Sequence, residues 1–177
     1  MPSILVVPVG AMGDLDLTAL SEPLNEVFRL PVSIHIGSPL DPQAAFDTFR
    51  NQYNSTLILT RLLDRYGQHD GKVLGVTMND LFVPVLTYVF GEAQLSGTAA
   101  VVSAHRLMEE FYGLTPDPAM EHDRLLKESV HELGHTFGLV HCHEPECVMR
   151  SSNAVEDIDL KDVGMCDRCR SLMEGTA

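Results

Sequence analysis

The amino-acid sequence predicts an α/β (α+β) fold in which a mixed β-sheet is covered by helices. The first half of the chain alternates strand-like apolar runs with segments whose apolar residues recur at helical spacing. The connections between these segments are short, and no internal repeat, linker or low-complexity tract interrupts them. This alternation is typical of βαβ units. At 177 residues, the chain is most simply one domain.

The strands are predicted where short runs are rich in apolar and β-branched residues. They are residues 3–10, 31–37, 55–60, 72–77, 83–91 and 97–103. Of the last two, one is expected at an edge of the sheet. In the same half, residues 14–28 and 42–51 have the spacing of helices.

A longer helix is predicted from Pro118 to about Gly138, with acidic Asp117 near its start. Beyond Gly138 the segments are short, polar and rich in cysteine, and Asp157 or Asp159 is a candidate cap for a last helix. We therefore predict one compact domain, 1–177, made of a sheet and helix part (1–138) and a small C-terminal part (139–177).

The charge balance limits the classes of partner. Twelve Lys and Arg against 25 Asp and Glu give a net charge of −13, which repels nucleic-acid phosphates and anionic lipid. No apolar run is long enough for a membrane helix, and the N-terminus lacks the basic region of a signal peptide. We expect a cytoplasmic protein with no nucleic-acid or membrane partner, and a monomer by default.

The stretch HELGHTFGLVHC, residues 131–142, has the spacing of a metal site. On a helix, His131 and His135 share one face, where both imidazoles can meet one ion. Glu132 lies beside the first ligand and can reach a water as general base. Gly138 can adopt the left-handed conformation that turns the chain and brings His141 round as a third ligand.

Three histidines leave the fourth position of a zinc ion to water, which is typical of a catalytic site. The expected chemistry is hydrolysis by a zinc-activated water, with Glu132 taking its proton. The alternative is a set of surface histidines and a surface glutamate on a solvated helix.

The four cysteines form two close pairs separated by a loop: Cys142 with Cys147, and Cys166 with Cys169. This spacing suits a tetrahedral structural zinc site with no open position. Two disulfides or four free thiols are the competing interpretations, and disulfides are disfavoured without a secretory signal. Because Cys142 follows His141 directly, a zinc ion held there would fix the chain beyond the third histidine.

The pattern HExxHxxGxxH resembles the signature of the metzincins, and its fusion to CxxxxCxM and a distal CxxC resembles archaemetzincins. The segments GEA (91–93) and AVVSAHRL (100–107) are similar to the upstream region of that family. The resemblance implies a metzincin-like fold, a catalytic zinc held by the histidines, a structural zinc held by the cysteines, and Met149 in a turn beneath the metal. It also implies an edge strand along the substrate cleft, for which residues 97–103 are the candidate. The apolar run AAVV in this segment fits the interior of the sheet equally well.

We therefore predict a zinc metallopeptidase that carries two zinc ions per chain and acts on peptides or unfolded proteins. The alternative is a zinc-stabilised peptide-binding module with little or no hydrolytic activity. A zinc hydrolase of non-peptide amides is a third, weaker interpretation.

Overall fold

The computed structural model describes residues 1–175. The main sheet has five strands in the order β2-β1-β5-β8-β7. Its strands are β1 (Ser3–Val9), β2 (Val32–Ile34), β5 (Gly71–Thr77), β7 (Gly91–Ala93) and β8 (Ala99–Ser103). The pairs β1–β2, β1–β5 and β5–β8 are parallel, whereas β7 runs antiparallel to β8. The predicted mixed sheet is therefore confirmed.

A smaller sheet of three short strands lies beside the first, in the order β3-β4-β6. These strands are β3 (Phe46–Asp47), β4 (Gln52–Asn54) and β6 (Leu81–Phe82). The helices are α1 (Ser21–Phe28), α2 (Ser55–Tyr66), α3 (Pro118–Thr136), α4 (Val155–Asp159) and α5 (Asp167–Glu174), with 3₁₀ turns at Leu17–Leu20, Gln43–Ala45 and Glu109–Tyr112.

Helices cover both faces of the main sheet. On one face, α2 packs against alternate strand residues such as Val73 and Val101. On the other, α1 and α3 pack against the intervening residues such as Leu74 and Val102. The central strands are consequently buried on both faces, which explains their nearly continuous apolar sequences.

Segments of the C-terminal part pack into the same core as α3. Val148, Met149 and Ile158 are fully buried in the cluster that contains Ile4 and Val130. The division of the chain at residue 138 stays a prediction. Among the described residues, no helix combines the length and the apolar content needed to cross a bilayer.

Two predicted elements in the first half are wrong. Residues 55–60, predicted as a strand, begin helix α2, whose N-terminus is capped by the Asn54 side chain accepting from the Leu57 N–H. The apolar residues Ile58, Leu59 and Leu62 lie on the buried face of this helix. Residues 42–51, predicted as a helix, form a 3₁₀ turn followed by strand β3 and a tight turn.

Other boundaries differ from prediction. Residues 14–28 form a 3₁₀ turn before α1 rather than one helix, and most of 83–91 is turn or bridge before β7. The last helix begins at Asp167 after Cys166, whereas Asp157 and Asp159 lie within α4.

The edge-strand candidate, residues 97–103, is also wrong, and the alternative of a strand in the sheet interior is confirmed. Residues 99–103 form β8, which lies between β5 and β7 and is buried along its whole length. The edge on this side of the sheet is β7, Gly91–Ala93, which pairs with β8 and with no other strand of residues 1–175. The order of strands depends on long-range pairing, which the local apolar pattern of residues 97–103 does not contain.

Candidate active site

Helix α3 carries the first part of the site. Pro118 occupies its first turn, and the Asp117 side chain caps it by accepting from the Met120 N–H. At the other end, the Lys72 ammonium donates to the Thr136 carbonyl at 2.8 Å, which satisfies one of the last carbonyls of the helix. Gly138 has φ +89°, the left-handed conformation that was predicted to turn the chain.

The three histidines of the motif converge on one point. His131 and His135 lie one turn apart on α3, and their Nε2 atoms are 3.1 Å apart. His141 follows the turn, and one ring nitrogen from each of the three residues lies within 4.8 Å of the others. Two imidazoles bound to a tetrahedral zinc ion at its usual distance have nitrogens about 3.3 Å apart. The spacing of His131 and His135 therefore fits zinc.

Backbone carbonyls orient two of these imidazoles. The His131 Nδ1 atom is 2.8 Å from the Val148 carbonyl, and the His135 Nδ1 atom is 2.7 Å from the Leu139 carbonyl. A carbonyl only accepts, so each Nδ1 carries the proton and each Nε2 is left with its lone pair. Metal-binding histidines are usually oriented by such partners.

The neutral form that burial favours in the three histidines also suits metal binding. Burial lowers the pKa of His131 well below its usual range, and it lowers the pKa values of His135 and His141 in the same direction. Neutral imidazoles are the form that binds metal ions.

Glu132 is buried beside this cluster, against strand β7. A Cβ atom added at Gly91 would lie 2.6 Å from both the Glu132 Cγ atom and the Val101 carbonyl oxygen, so glycine lets β7 approach β8 and the carboxylate together. Burial raises the pKa of Glu132 well above the usual carboxyl range, and the charges of Glu128 and Glu92 raise it further. A carboxyl with a raised pKa suits a general base.

Met149 lies directly under the helix that carries the histidines. Its side chain is fully buried, and a Cβ atom added at Gly134, between His131 and His135, would overlap the Met149 sulfur. The Cys142 N–H donates to the Met149 carbonyl at 2.9 Å, which joins this turn to the cysteine cluster.

Two cavities meet at the histidines. One, of about 380 Å³, lies between residues 86–91 and the loop 151–153, and the other, of about 360 Å³, is lined by Glu92, Ala93, Leu95 and Val140. Gly91, Glu132, His131 and His141 line both. The cluster therefore faces an open cleft bordered by the edge strand β7.

The four cysteines form a second cluster. Their sulfur atoms all lie within 4.8 Å of one another, and the Cys142 and Cys166 sulfurs are 3.8 Å apart. A tetrahedral zinc ion with its usual bonds to sulfur sets neighbouring sulfurs about 3.8 Å apart. All four residues are free thiols, so the predicted disulfide alternative is not observed. Their spacing fits a zinc ion with no position left open.

His143 and Glu146, which lie between Cys142 and Cys147, are exposed to solvent.

Several contributors to the site were missed in the sequence. The carbonyls of Val148 and Leu139 have no sequence signal, since any residue supplies one. Gly91 had a signal only in its place within GEA, a segment similar to the related family. Glu128, one turn before His131 and buried, was detectable as a charged residue on the apolar face of α3.

Comparisons with known proteins agree with this geometry. A model of peptidase family M54 matches residues 28–175. An archaemetzincin of Methanocaldococcus jannaschii is 42% identical over 167 residues, which are 94% of this chain and 89% of the relative.

Solved structures show the same fold. A zinc-dependent peptidase from Methanocorpusculum labreanum superposes with a TM-score of 0.86 at 31% identity, over 97% of this chain and 100% of that one. The archaemetzincin of Methanopyrus kandleri gives a TM-score of 0.82 at 33% identity, over 99% of this chain and 95% of that one. The resemblance to archaemetzincins is confirmed, and the chain belongs to peptidase family M54.

Proposed function

We propose that this chain is a metzincin-type zinc peptidase that hydrolyses peptide bonds in peptides or unfolded proteins. Membership of family M54 supports zinc peptidase chemistry. The single observation that carries the proposal is the placement of Glu132 beside three converging imidazoles, at the meeting point of two cavities. A purely structural metal site has no use for a base next to an open position.

His131, His135 and His141 would hold the catalytic zinc ion through their ring nitrogens. When bound, zinc would polarise the scissile carbonyl and make the attacking water easier to ionise. Glu132 removes one proton from that water as the oxygen attacks the carbonyl carbon. It then delivers the proton to the leaving nitrogen as the C–N bond breaks, so that no covalent enzyme intermediate forms.

The substrate would bind in an extended conformation along β7. One side of this strand pairs with β8, which leaves its other side available for main-chain hydrogen bonds with a peptide. The two cavities flank the histidines and would accept side chains on either side of the scissile bond. Leu95 and Val140, both largely exposed, would contact apolar side chains in the second cavity.

We also propose a second, structural zinc ion held by Cys142, Cys147, Cys166 and Cys169, which gives two zinc ions per chain. This ion takes no part in the chemistry. It would hold the segment that follows His141 and, through the hydrogen bond from Cys142 to the Met149 carbonyl, the turn beneath the helix.

The test is cleavage of a mixed peptide library, read by mass spectrometry, with zinc-loaded parent, Glu132→Gln and Glu26→Gln. Glu26 is an exposed carboxylate on α1 and provides the matched control. The parent and Glu26→Gln should cleave, whereas Glu132→Gln should lose roughly 10²–10⁴-fold in rate and keep its zinc. Equal cleavage by Glu132→Gln would refute its role as base. No cleavage by a zinc-loaded parent would favour the peptide-binding module.

A further inference from the structure

A buried ion pair that the proposed mechanism does not use lies next to the histidine cluster. The Lys161 Nζ atom is 2.9 Å from the Glu128 Oε1 atom, and the exposed fractions of the two side chains are 0% and 4%. Burying two charges is unfavourable unless they are paired and fully hydrogen bonded. Such a pair needs an explanation.

The Lys161 ammonium has three protons to donate, and three oxygen atoms lie within hydrogen-bond distance of it. Besides Glu128, it donates to the carbonyls of Arg150, at 3.2 Å, and Val148, at 3.3 Å. Glu128 belongs to α3 and lies one turn before His131, whereas Val148 and Arg150 flank Met149. One side chain therefore joins the metal-binding helix to both sides of the turn beneath it.

The Val148 carbonyl has a second donor, the His131 Nδ1–H at 2.8 Å. A carbonyl oxygen has two lone pairs, and here one meets the imidazole and the other the ammonium. The Val148 carbonyl is thus the atom at which His131 and Lys161 meet.

We propose that Lys161, paired with Glu128, is a positioning residue that holds the Val148 carbonyl against His131 and thereby orients this zinc ligand. The inference rests on the proposed function, because it takes the three histidines as the catalytic metal site. It assigns no chemical step to Lys161.

The same helix offers a matched control. Lys127 is a mostly buried lysine, as Lys161 is, but it lies on α3 next to Glu128, and its ammonium pairs at 2.6 Å with Asp123, whose side chain is half exposed. No hydrogen bond joins this pair to the histidines or to the turn at Met149 among the contacts of residues 1–175. Lys127→Met removes a charge and an ion pair from α3 without touching the Val148 carbonyl.

The experiment measures zinc affinity rather than hydrolysis. Parent, Lys161→Met and Lys127→Met are titrated with zinc against a competing chelator, and melting temperature and the zinc retained by the cysteines are recorded in parallel. We expect Lys161→Met to weaken the histidine site about 10- to 100-fold, the range for lost partners of metal ligands. The cysteine site should keep its zinc, and Lys127→Met should bind as the parent does.

The double variant Glu128→Met with Lys161→Met covers the case in which the single variant fails to fold. It replaces the pair with apolar side chains of similar volume, which proteins often tolerate, and leaves no unpaired charge. It still lacks the donor to Val148, so it should also weaken the histidine site.

Parent-like affinity in the folded variants would overturn the role of Lys161, and so would a parallel loss of zinc from both sites that follows the melting temperature. A parent that binds no zinc at the histidines would instead overturn the proposed function, and that failure appears without any variant.

Discussion

The histidine cluster ends at His141 and the cysteine cluster begins at the next residue, Cys142, yet their surroundings differ. The histidines open onto a cleft with two cavities and have a buried carboxylate beside them. The cysteines bring four sulfurs together, and Cys147 and Cys169 are buried in the core. Three nitrogen ligands leave a zinc ion one open position, whereas four sulfurs leave none.

One short segment of backbone contacts both clusters. The Met149 turn lies between the clusters, with the α3 backbone at Gly134 against its side chain and the Cys142 N–H on its carbonyl. Its neighbour Val148 accepts from the His131 ring. We interpret the cysteine cluster as an anchor for the backbone that orients the histidines.

Removing a ligand from the cysteine cluster should have the largest effect, a loss of stability of the whole chain. Structural zinc contributes on the order of 10 kcal/mol to folding in small zinc domains, so Cys166→Ser should release one zinc ion and destabilise the whole chain. We expect a loss of about 3 kcal/mol or more, which corresponds to a fall of roughly 6–12 °C in melting temperature for a chain of this size. Metal analysis and thermal unfolding measure both changes.

All four cysteines belong to the cluster, so the control for this variant is His135→Ala, which removes a ligand from the other site. Two zinc ions and a parent-like melting temperature in Cys166→Ser would contradict the role of the cysteine cluster as anchor.

The second largest effect is expected on the rate of hydrolysis at the histidine cluster. Gly91→Ala would press a methyl group into both Glu132 and the Val101 carbonyl of the neighbouring strand β8. The added methyl group would shift Glu132 or the β7 backbone on which it packs, and displacing a catalytic group by about 1 Å can cost 10²-fold in rate. We expect kcat to fall about 10- to 100-fold while both zinc ions remain. Steady-state kinetics with a peptide identified from the library, together with metal analysis, would measure this.

Gly164→Ala is the matched control, because a Cβ atom there would meet no atom within 4 Å. If Gly91→Ala kept the parent kcat, the close packing of Glu132 on β7 would have no catalytic consequence.

The smallest effect should come from Met149→Leu. Met149 is fully buried and lies beside Gly134, so its contribution is expected to be packing rather than metal binding. A swap of similar volume should cost less than about 1.5 kcal/mol in unfolding free energy, whereas Met149→Ala should cost about 2–5 kcal/mol. Chemical denaturation would give both values. Loss of the histidine-site zinc in Met149→Leu would show that packing is not its only role.

The two clusters also differ from the N-terminal half in how well the sequence predicts them. The histidine spacing is set by the pitch of one helix and a single turn at Gly138, so local geometry is sufficient to bring the ring nitrogens together. The cysteine pairs are likewise local at each end. Candidate metal sites of this kind can be predicted from the sequence because their residue types are rare and their spacing is constrained.

Elsewhere, local patterns were ambiguous. Residues 55–60 contain β-branched and apolar residues in a short run, which resembles a strand. The helical spacing becomes visible only when Leu62 is included, and the start of the helix only when Asn54 is recognised as its cap. The position of β7 at the edge depends on pairing between distant strands, and the roles of the Val148 carbonyl and Lys161 depend on tertiary contacts. Such features become visible only in the folded chain.

We propose that the two clusters hold separate zinc ions and that only the histidine site is reactive. The most direct measurement is zinc content, peptide cleavage and melting temperature on one preparation each of parent and His135→Ala. We predict two zinc ions and cleavage in the parent, and in the variant one zinc ion, no cleavage and a fall in melting temperature smaller than that of Cys166→Ser. A variant that keeps two zinc ions and cleaves peptides would contradict the account.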